Sequence, residues 1–160
     1  MPIFANDVLR VGVKGLGALM SSAGLGALIA ALLLARLGDF EHKGRLLIVS
    51  SFVFSLALIL FALSKVYALS LAALACVGWA SVTAVSLINT LLQQLVPDGF
   101  RGRVMSLFML TFAGVVPFGN LFAGMVAHVW GVSLTVAASG FICAAFFTVI
   151  YSVYPDIQGL

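Results

Sequence analysis

The chain has 160 residues and a formal net charge of +3; 63% of its residues are hydrophobic and only 8% are charged. A soluble domain carries roughly a quarter charged residues, so this composition excludes a soluble enzyme or binding module, and the apolar content excludes a disordered chain. An all-α polytopic membrane protein remains, and at about 20 residues per helix the chain accommodates about five or six spans.

Five apolar runs, bounded by the charged residues, are each long enough to cross a bilayer as a helix. The spans are expected at about residues 15–35, 46–63, 69–92, 104–129 and 132–154. At about 1.5 Å per residue the shortest run reaches about 27 Å, which crosses a slightly thinned bilayer. Residues 1–14 are too short and too polar for a further span, so we expect an outer-face segment there. The sequence thus predicts a single membrane domain over residues 1–160.

Basic residues are distributed unequally between the two sides that five alternating spans define. One side carries Arg36, Lys43, Arg45, Arg101 and Arg103, and the other carries Arg10, Lys14 and Lys65. The positive-inside rule then makes residues 36–45 and 93–103 cytoplasmic loops and places the C-terminus in the cytoplasm. An outer N-terminus without a signal segment is what a larger protein would show if its upstream helices were missing. The lipid bilayer is the expected partner, and the basic residues are too few and too scattered for nucleic acid.

The third span carries a polar stripe. At 100° per residue, an arc of about 80° contains Trp79, Thr83, Ser86, Thr90 and Gln93, and Asn89 flanks it. The opposite side is apolar, with Val77, Val85 and Ile88. Lipid cannot satisfy polar side chains, so the stripe must turn toward protein or water. Two interpretations stay open: hydrogen bonds between helices, or the wall of an aqueous substrate cavity.

The other spans show packing features. The fourth span has a face of small and polar residues that includes Asn120, and its Pro117 predicts a kink near Val116. The second and fifth spans lack a polar stripe, and aromatic residues such as Phe52 and Phe61 predict positions against lipid. Alanine ridges with a spacing of four predict packing seams on the first and third spans. These ridges are Ala23, Ala27, Ala31 and Ala35, then Ala72, Cys76, Ala80 and Ala84.

Catalytic chemistry is not expected. The spans contain no Asp, Glu, Lys or Arg, and His42 and His128 lie at loop ends. No carboxylate stands near His128 and Ser133 to orient them as a hydrolytic pair. Cys76 and Cys143 lie in apolar runs without neighbours at metal-ligand spacing. The sequence therefore predicts neither an enzyme nor a metal or cofactor site.

Three segments of the sequence are distinctive: MPIFANDVLRVGVKGLGALMSSAGLGALIAALLLARLGD at residues 1–39, NTLLQQLVPDGFRGRVMSLFML at residues 89–110 and GVVPFGNLFAG at residues 114–124. Together they resemble transporters of the major facilitator superfamily. The chain looks most like the branch of siderophore exporters and macrolide-type efflux proteins, the transmembrane secretion effector type. Within the second segment the branch signature is Pro97, Arg101, Gly102 and Arg103. The loop after the first span keeps Gly44 and Arg45 of the family pattern, whereas Asp39 is displaced.

The resemblance implies helices eight to twelve of a twelve-helix transporter, with helix seven and the N-terminal half as missing partners. Such a protein exports a small organic molecule, a drug or a siderophore, by alternating access and is driven by protons. The candidates for the substrate cavity are Ser22, Trp79, Thr83, Ser86, Asn89, Thr90 and Asn120. The candidates for gating are Gly44, Arg45, Pro97, Arg101, Gly102 and Arg103, with Pro117 as a kink. The alternative is a short autonomous membrane protein with a structural or partner-binding role.

Overall fold

A computed structural model describes residues 12–38, 42–64 and 66–153. These ranges contain no strand and form five α-helices: α1 Gly12–Leu37, α2 Lys43–Leu63, α3 Tyr67–Leu95, α4 Asp98–Trp130 and α5 Val132–Val153. Each helix is long and apolar enough to cross a membrane, so the predicted all-α fold of five membrane helices is confirmed. Most helices extend beyond the predicted apolar runs, because backbone hydrogen bonding continues into the polar residues that flank each run. Lys14, expected in an outer segment, accordingly lies in α1.

The connections between the helices are short, and local backbone chemistry explains them. After α1, Gly38 adopts a φ of +57°, a left-handed conformation that favours glycine, and its N–H donates to the Leu34 carbonyl at 3.2 Å. Between α4 and α5 the chain reverses at Gly131, which has a φ of +85° and donates its N–H to the Ala127 carbonyl at 3.0 Å. Between α3 and α4 stands Pro97, the N-cap of α4, which has no N–H to continue a helix.

The helices pack in an order different from their order in the chain. Helix α3 contacts α1 on one side and α2 on the other, α2 also contacts α5, and α5 contacts α4. A buried apolar cluster of Leu19, Phe61, Ala73 and Leu74 joins the first three helices at one end of the bundle. Helix α4 is peripheral in the described part of the chain: it contacts α5 and, less extensively, α3, and none of its residues is buried.

Helices α1 and α3 approach each other closely enough for their backbones to meet. A Cβ atom added to Gly26 of α1 would collide with the carbonyl oxygen of Ala75, and one added to Gly78 of α3 would collide with the carbonyl oxygen of Ala23. The two backbones therefore touch at two reciprocal points. This contact only partly matches the predicted alanine ridges, because Ala31, Ala35, Ala72 and Cys76 are exposed. Glycine, and not the alanine ridge, determines where the helices cross.

Helix α2 packs against both α3 and α5, so protein buries one of its faces, whereas the sequence interpretation placed the helix largely against lipid. Its inner face carries Ser50, Ser51 and Ser55, each at most 2% exposed. Each serine hydroxyl donates to a carbonyl oxygen one turn earlier in the same helix, so no polar group is left unsatisfied. Phe61, predicted to face lipid, is 1% exposed. An outer apolar face on α2 does exist, formed by Val49, Phe52, Leu56, Leu60 and Leu63.

The contact between α1 and α3 can be tested by a single methyl group. Gly26→Ala should lower the free energy of unfolding by about 1–3 kcal/mol, because the new methyl group meets a backbone carbonyl that cannot rotate away. Gly24→Ala is the matched control on the same helix, where an added Cβ meets nothing within 4 Å. It should leave stability unchanged or slightly raised, since alanine is the better helix former. Unfolding in mixed micelles, followed by circular dichroism, measures both; equal effects would disprove the contact.

Candidate functional site

The polar stripe of α3 lies beside the contact with α1. Ala75 and Gly78 touch α1 directly, and the half-buried Trp79 follows them in sequence. Trp79 lines a groove of about 210 Å³ with Cys76 and Ala75 of α3 and with Gly26 and Ile29 of α1. The walls of this groove are apolar. The rest of the stripe, from Thr83 to Thr90, continues along α3 toward the end that carries most of the basic residues.

The hydroxyl groups of the stripe are satisfied within α3 itself. Thr83, only 1% exposed, donates its Oγ1 hydrogen to the Trp79 carbonyl oxygen at 2.8 Å. Thr90 donates in the same way to the carbonyl oxygen of Ser86 at 2.9 Å. One turn from the end of the helix, the Gln93 Nε2 donates to the Asn89 Oδ1 at 2.7 Å. Because of these bonds, the polar side chains of the stripe are satisfied even in an apolar environment. Each threonine oxygen keeps a lone pair that can accept a further hydrogen bond.

The other two cavity candidates lie on different helices. Ser22 of α1 is half-buried and donates its hydroxyl hydrogen to the Leu19 carbonyl oxygen at 2.8 Å. It directly precedes Ala23, so it lies at the edge of the contact with α3. Asn120 of α4 is exposed and lines a groove of about 410 Å³ whose other walls include Leu58 of α2 and Thr135 of α5. The structure thus places Ser22 next to a residue of the contact between α1 and α3, and Asn120 in a separate groove.

A larger groove separates α4 from α5. It has a volume of about 760 Å³, and its walls are almost entirely apolar. Large side chains such as Phe122, Trp130 and Ile142 line it. Pro117 lies within the continuous helix α4, before this groove, and the kink predicted there stays a prediction.

Most gating candidates lie within helices, because α2 and α4 extend into the residues that the sequence analysis assigned to cytoplasmic loops. Gly44 and Arg45 belong to the first turn of α2, with Gly44 buried and Arg45 exposed. Arg101, Gly102 and Arg103 belong to the first two turns of α4, all exposed. Pro97, also exposed, is the member of the set that lies between helices.

Arg101 has a partner in its own helix. Its Nη2 lies 2.8 Å from the Asp98 Oδ1, and the two side chains are 45% and 90% exposed. An exposed ion pair of this kind contributes little to stability, typically 0–1 kcal/mol. This local pair does not test the gating role of Arg101, which stays a prediction.

The sequence analysis missed a buried lysine at the same end of the bundle. Lys43, the first residue of α2, is 7% exposed, and its Nζ donates to the Oε1 of Gln94 near the end of α3 at 3.0 Å. This bond links two helices across 51 positions of sequence. In the sequence, Lys43 counted only as one of five basic residues on that side. No local pattern marks it, because its partner is distant in the chain.

Comparison with known proteins gives a consistent set of relatives. Residues 1–157 match the transmembrane secretion effectors of the major facilitator superfamily. The chain is 26% identical over 140 residues to the staphyloferrin A transporter of Staphylococcus aureus, covering 88% of the chain and 35% of that protein. It is 31% identical over 102 residues to the enterobactin exporter EntS of Escherichia coli O1:K1, covering 64% of the chain and 24% of the exporter. The chain spans about a third or less of the length of these curated relatives. No solved structure is significantly similar.

The bond between Lys43 and Gln94 makes a testable contribution to stability. Gln94→Leu removes one acceptor from a buried ammonium group and should lower the free energy of unfolding by about 1–2 kcal/mol. Gln93→Leu is the matched control, because Gln93 is exposed and its bond lies within α3. That change should cost less than about 0.5 kcal/mol. If detergent unfolding gives both variants the same stability, the link does not hold α2 to α3.

Proposed function

The chain belongs to the transmembrane secretion effector family of the major facilitator superfamily, and from this premise we propose that it forms part of an exporter of small organic molecules. The staphyloferrin A transporter and the enterobactin exporter EntS support this proposal, and they make siderophores the first substrate class to test. Export would proceed by alternating access, with the substrate bound at midplane between packed helices. The alternative, an autonomous membrane protein with a purely structural role, is not favoured by these relatives.

The polar stripe of α3 is the observation on which the proposed substrate site rests. Its side chains stand at the edge of the contact with α1, half-buried at Trp79, Ser86, Asn89 and Thr90. The helix is fixed there by Gly26 and Gly78, so the stripe has one orientation in the bundle. A wall of hydroxyl, amide and indole groups can hydrogen-bond an organic substrate without the cost of burying a charge. We therefore assign the substrate-facing side of this chain to the stripe, and Ser22 stays a further candidate on α1.

Proton coupling would need a titratable group from outside these five spans. The predicted runs contain no Asp, Glu, Lys or Arg, and the histidine that they do contain, His128, lies in the last turn of α4, at the end of the fourth run and away from the midplane. A residue that takes up and releases a proton within a membrane is normally a carboxylate or a histidine. We propose that the coupling residue belongs to the remaining part of the transporter, and that this chain contributes binding and movement.

The proposed location is the bacterial cytoplasmic membrane, with the C-terminus in the cytoplasm. In the structure, the end of α1, the beginnings of α2 and α4 and the ends of α3 and α5 belong to one side. That side carries Arg36, Lys43, Arg45, Arg101 and Arg103. The positive-inside rule supports its cytoplasmic placement.

Reporter fusions test this orientation. Fusions after Lys43 and after Arg101 should give a cytoplasmic signal, whereas a fusion after Lys65 should give a signal from the opposite side. Paired reporters that are active on one side of the membrane only, such as alkaline phosphatase and a fluorescent protein, measure each position twice. An inverted pattern at all three positions would refute the orientation.

Cysteine modification coupled to export tests the substrate site. In a full-length protein that contains this chain but lacks Cys76 and Cys143, single cysteines at Trp79, Asn89 and Thr90 should react with a membrane-impermeant thiol reagent. Reaction should also block export, because the label occupies a water-filled path. The controls are cysteines at Val85 and Ile88, 38% and 36% exposed but on the opposite side of α3.

The control positions show whether labelling reports contact with water in the membrane or only the exposure of a side chain in the isolated chain. Because Val85 and Ile88 are at least as accessible in the isolated chain as the stripe residues, a test of surface exposure alone would label them equally. We expect them to stay unlabelled because lipid covers them. Equal labelling on both sides of α3, or labelling of the stripe without loss of export, would remove the substrate site from this helix.

A further inference from the structure

A groove opens where α2 begins and α5 ends. It has a volume of about 320 Å³ and is lined by His42, Arg45, Ile48, Val49 and Tyr151. None of these residues belongs to the polar stripe of α3, although Arg45 is also one of the gating candidates. The groove lies on the side of the bundle that carries most of the basic residues.

The lining divides into a polar and an apolar part. At the end of the bundle, Arg45 offers a planar guanidinium group whose paired N–H donors match the oxygens of a phosphate, and His42 adds an imidazole. Tyr151, 46% exposed, adds a phenolic hydroxyl. One turn further into α2, Ile48 and Val49 supply an apolar wall, with Val49 47% exposed. A ligand that fits both parts has an anionic head and a hydrocarbon tail.

The groove also opens toward lipid. Val49 begins the outer apolar face of α2, which continues with Phe52 and Leu56 toward the middle of the helix. An acyl chain that follows this face would leave its headgroup level with Arg45, the third residue of the helix. Basic pockets between membrane helices on the cytoplasmic side are recognised sites for anionic lipid headgroups.

We propose that this groove binds an anionic phospholipid, with Arg45 and His42 on the phosphate, Tyr151 at the level of the headgroup, and the acyl chain along Ile48 and Val49. The net charge of the surrounding segment, residues 36–45, attracts an anionic lipid only weakly. The segment carries three basic and two acidic side chains, although Asp39 and Glu41 lie outside the described residues. Binding therefore depends on the shape and donors of the groove and not on the charge of the loop.

The test uses the 160-residue chain purified in a mild detergent. Native mass spectrometry measures the binding of phosphatidylglycerol and of phosphatidylcholine with identical acyl chains. The chain should prefer phosphatidylglycerol, and Arg45→Gln should weaken that binding about fivefold, the effect expected for one basic residue at a membrane surface. Arg36→Gln is the matched control: it removes one exposed positive charge on the same side, outside the groove. It should change the affinity less than twofold.

Three results would overturn the proposal: no preference for phosphatidylglycerol, equal loss in the two variants, or displacement of the lipid by inorganic phosphate at low millimolar concentration. The last result would assign the groove to a free anion. Circular dichroism checks that the variants fold. If Arg45→Gln loses helix content, Arg45→Lys and Tyr151→Phe replace it. At least one of them must weaken phosphatidylglycerol binding twofold or more, and unchanged binding in both would refute the site.

Discussion

The direct contact between the backbones of α1 and α3 fixes the rest of the bundle. Lipid is as apolar as leucine, so membrane helices gain little from burying hydrophobic side chains against each other and depend on close packing. Gly26 and Gly78 permit that packing because each faces a carbonyl group of the other helix at a distance that no side chain could accommodate. Two such points determine both the position and the rotation of α3. Helix α3 also packs against α2. The polar stripe therefore faces neither α1 nor α2 fully and lies on the side of α3 between the two contacts.

A second constraint acts on every polar group within the bundle. Hydroxyl groups of serine and threonine are satisfied by carbonyl oxygens of their own helix, as at Ser55 and Thr83. Lys43 cannot follow this pattern. It stands in the first turn of α2, where no preceding turn offers carbonyl groups and where the helix dipole disfavours a positive charge. Its ammonium group therefore takes an acceptor from α3, at Gln94, and this requirement ties the basic ends of two helices together.

Hydropathy alone predicts the number and class of the helices, because a bilayer demands long apolar segments. It predicts their ends less well, since a charged residue ends an apolar run without ending the helix, as Arg101 in α4 shows. The inner serine face of α2 was missed because small hydroxyl residues among Leu and Phe look like part of an apolar run. Gly26 and Gly78 could not be singled out, because nothing in the sequence says which small residues meet. Asn120 is predicted to share a cavity with the α3 stripe because it lies on the small and polar face of the fourth span, whereas its location depends on how α4 packs against α5.

The basic residues on one side of the bundle have different environments although the positive-inside rule treats them alike. Lys43 is buried and bonded to Gln94, Arg45 lines a groove, and Arg101 pairs with Asp98, while Arg36 and Arg103 are exposed. In the proposed topology, orientation depends on the excess of basic residues on that side: the sequence assigns five to it and three to the other side. Removing any one of the five leaves that side the richer. A single substitution of any of these residues should therefore leave the orientation of the protein in the membrane unchanged. A loss of function in such a variant then results from the contact that was removed and not from failed insertion.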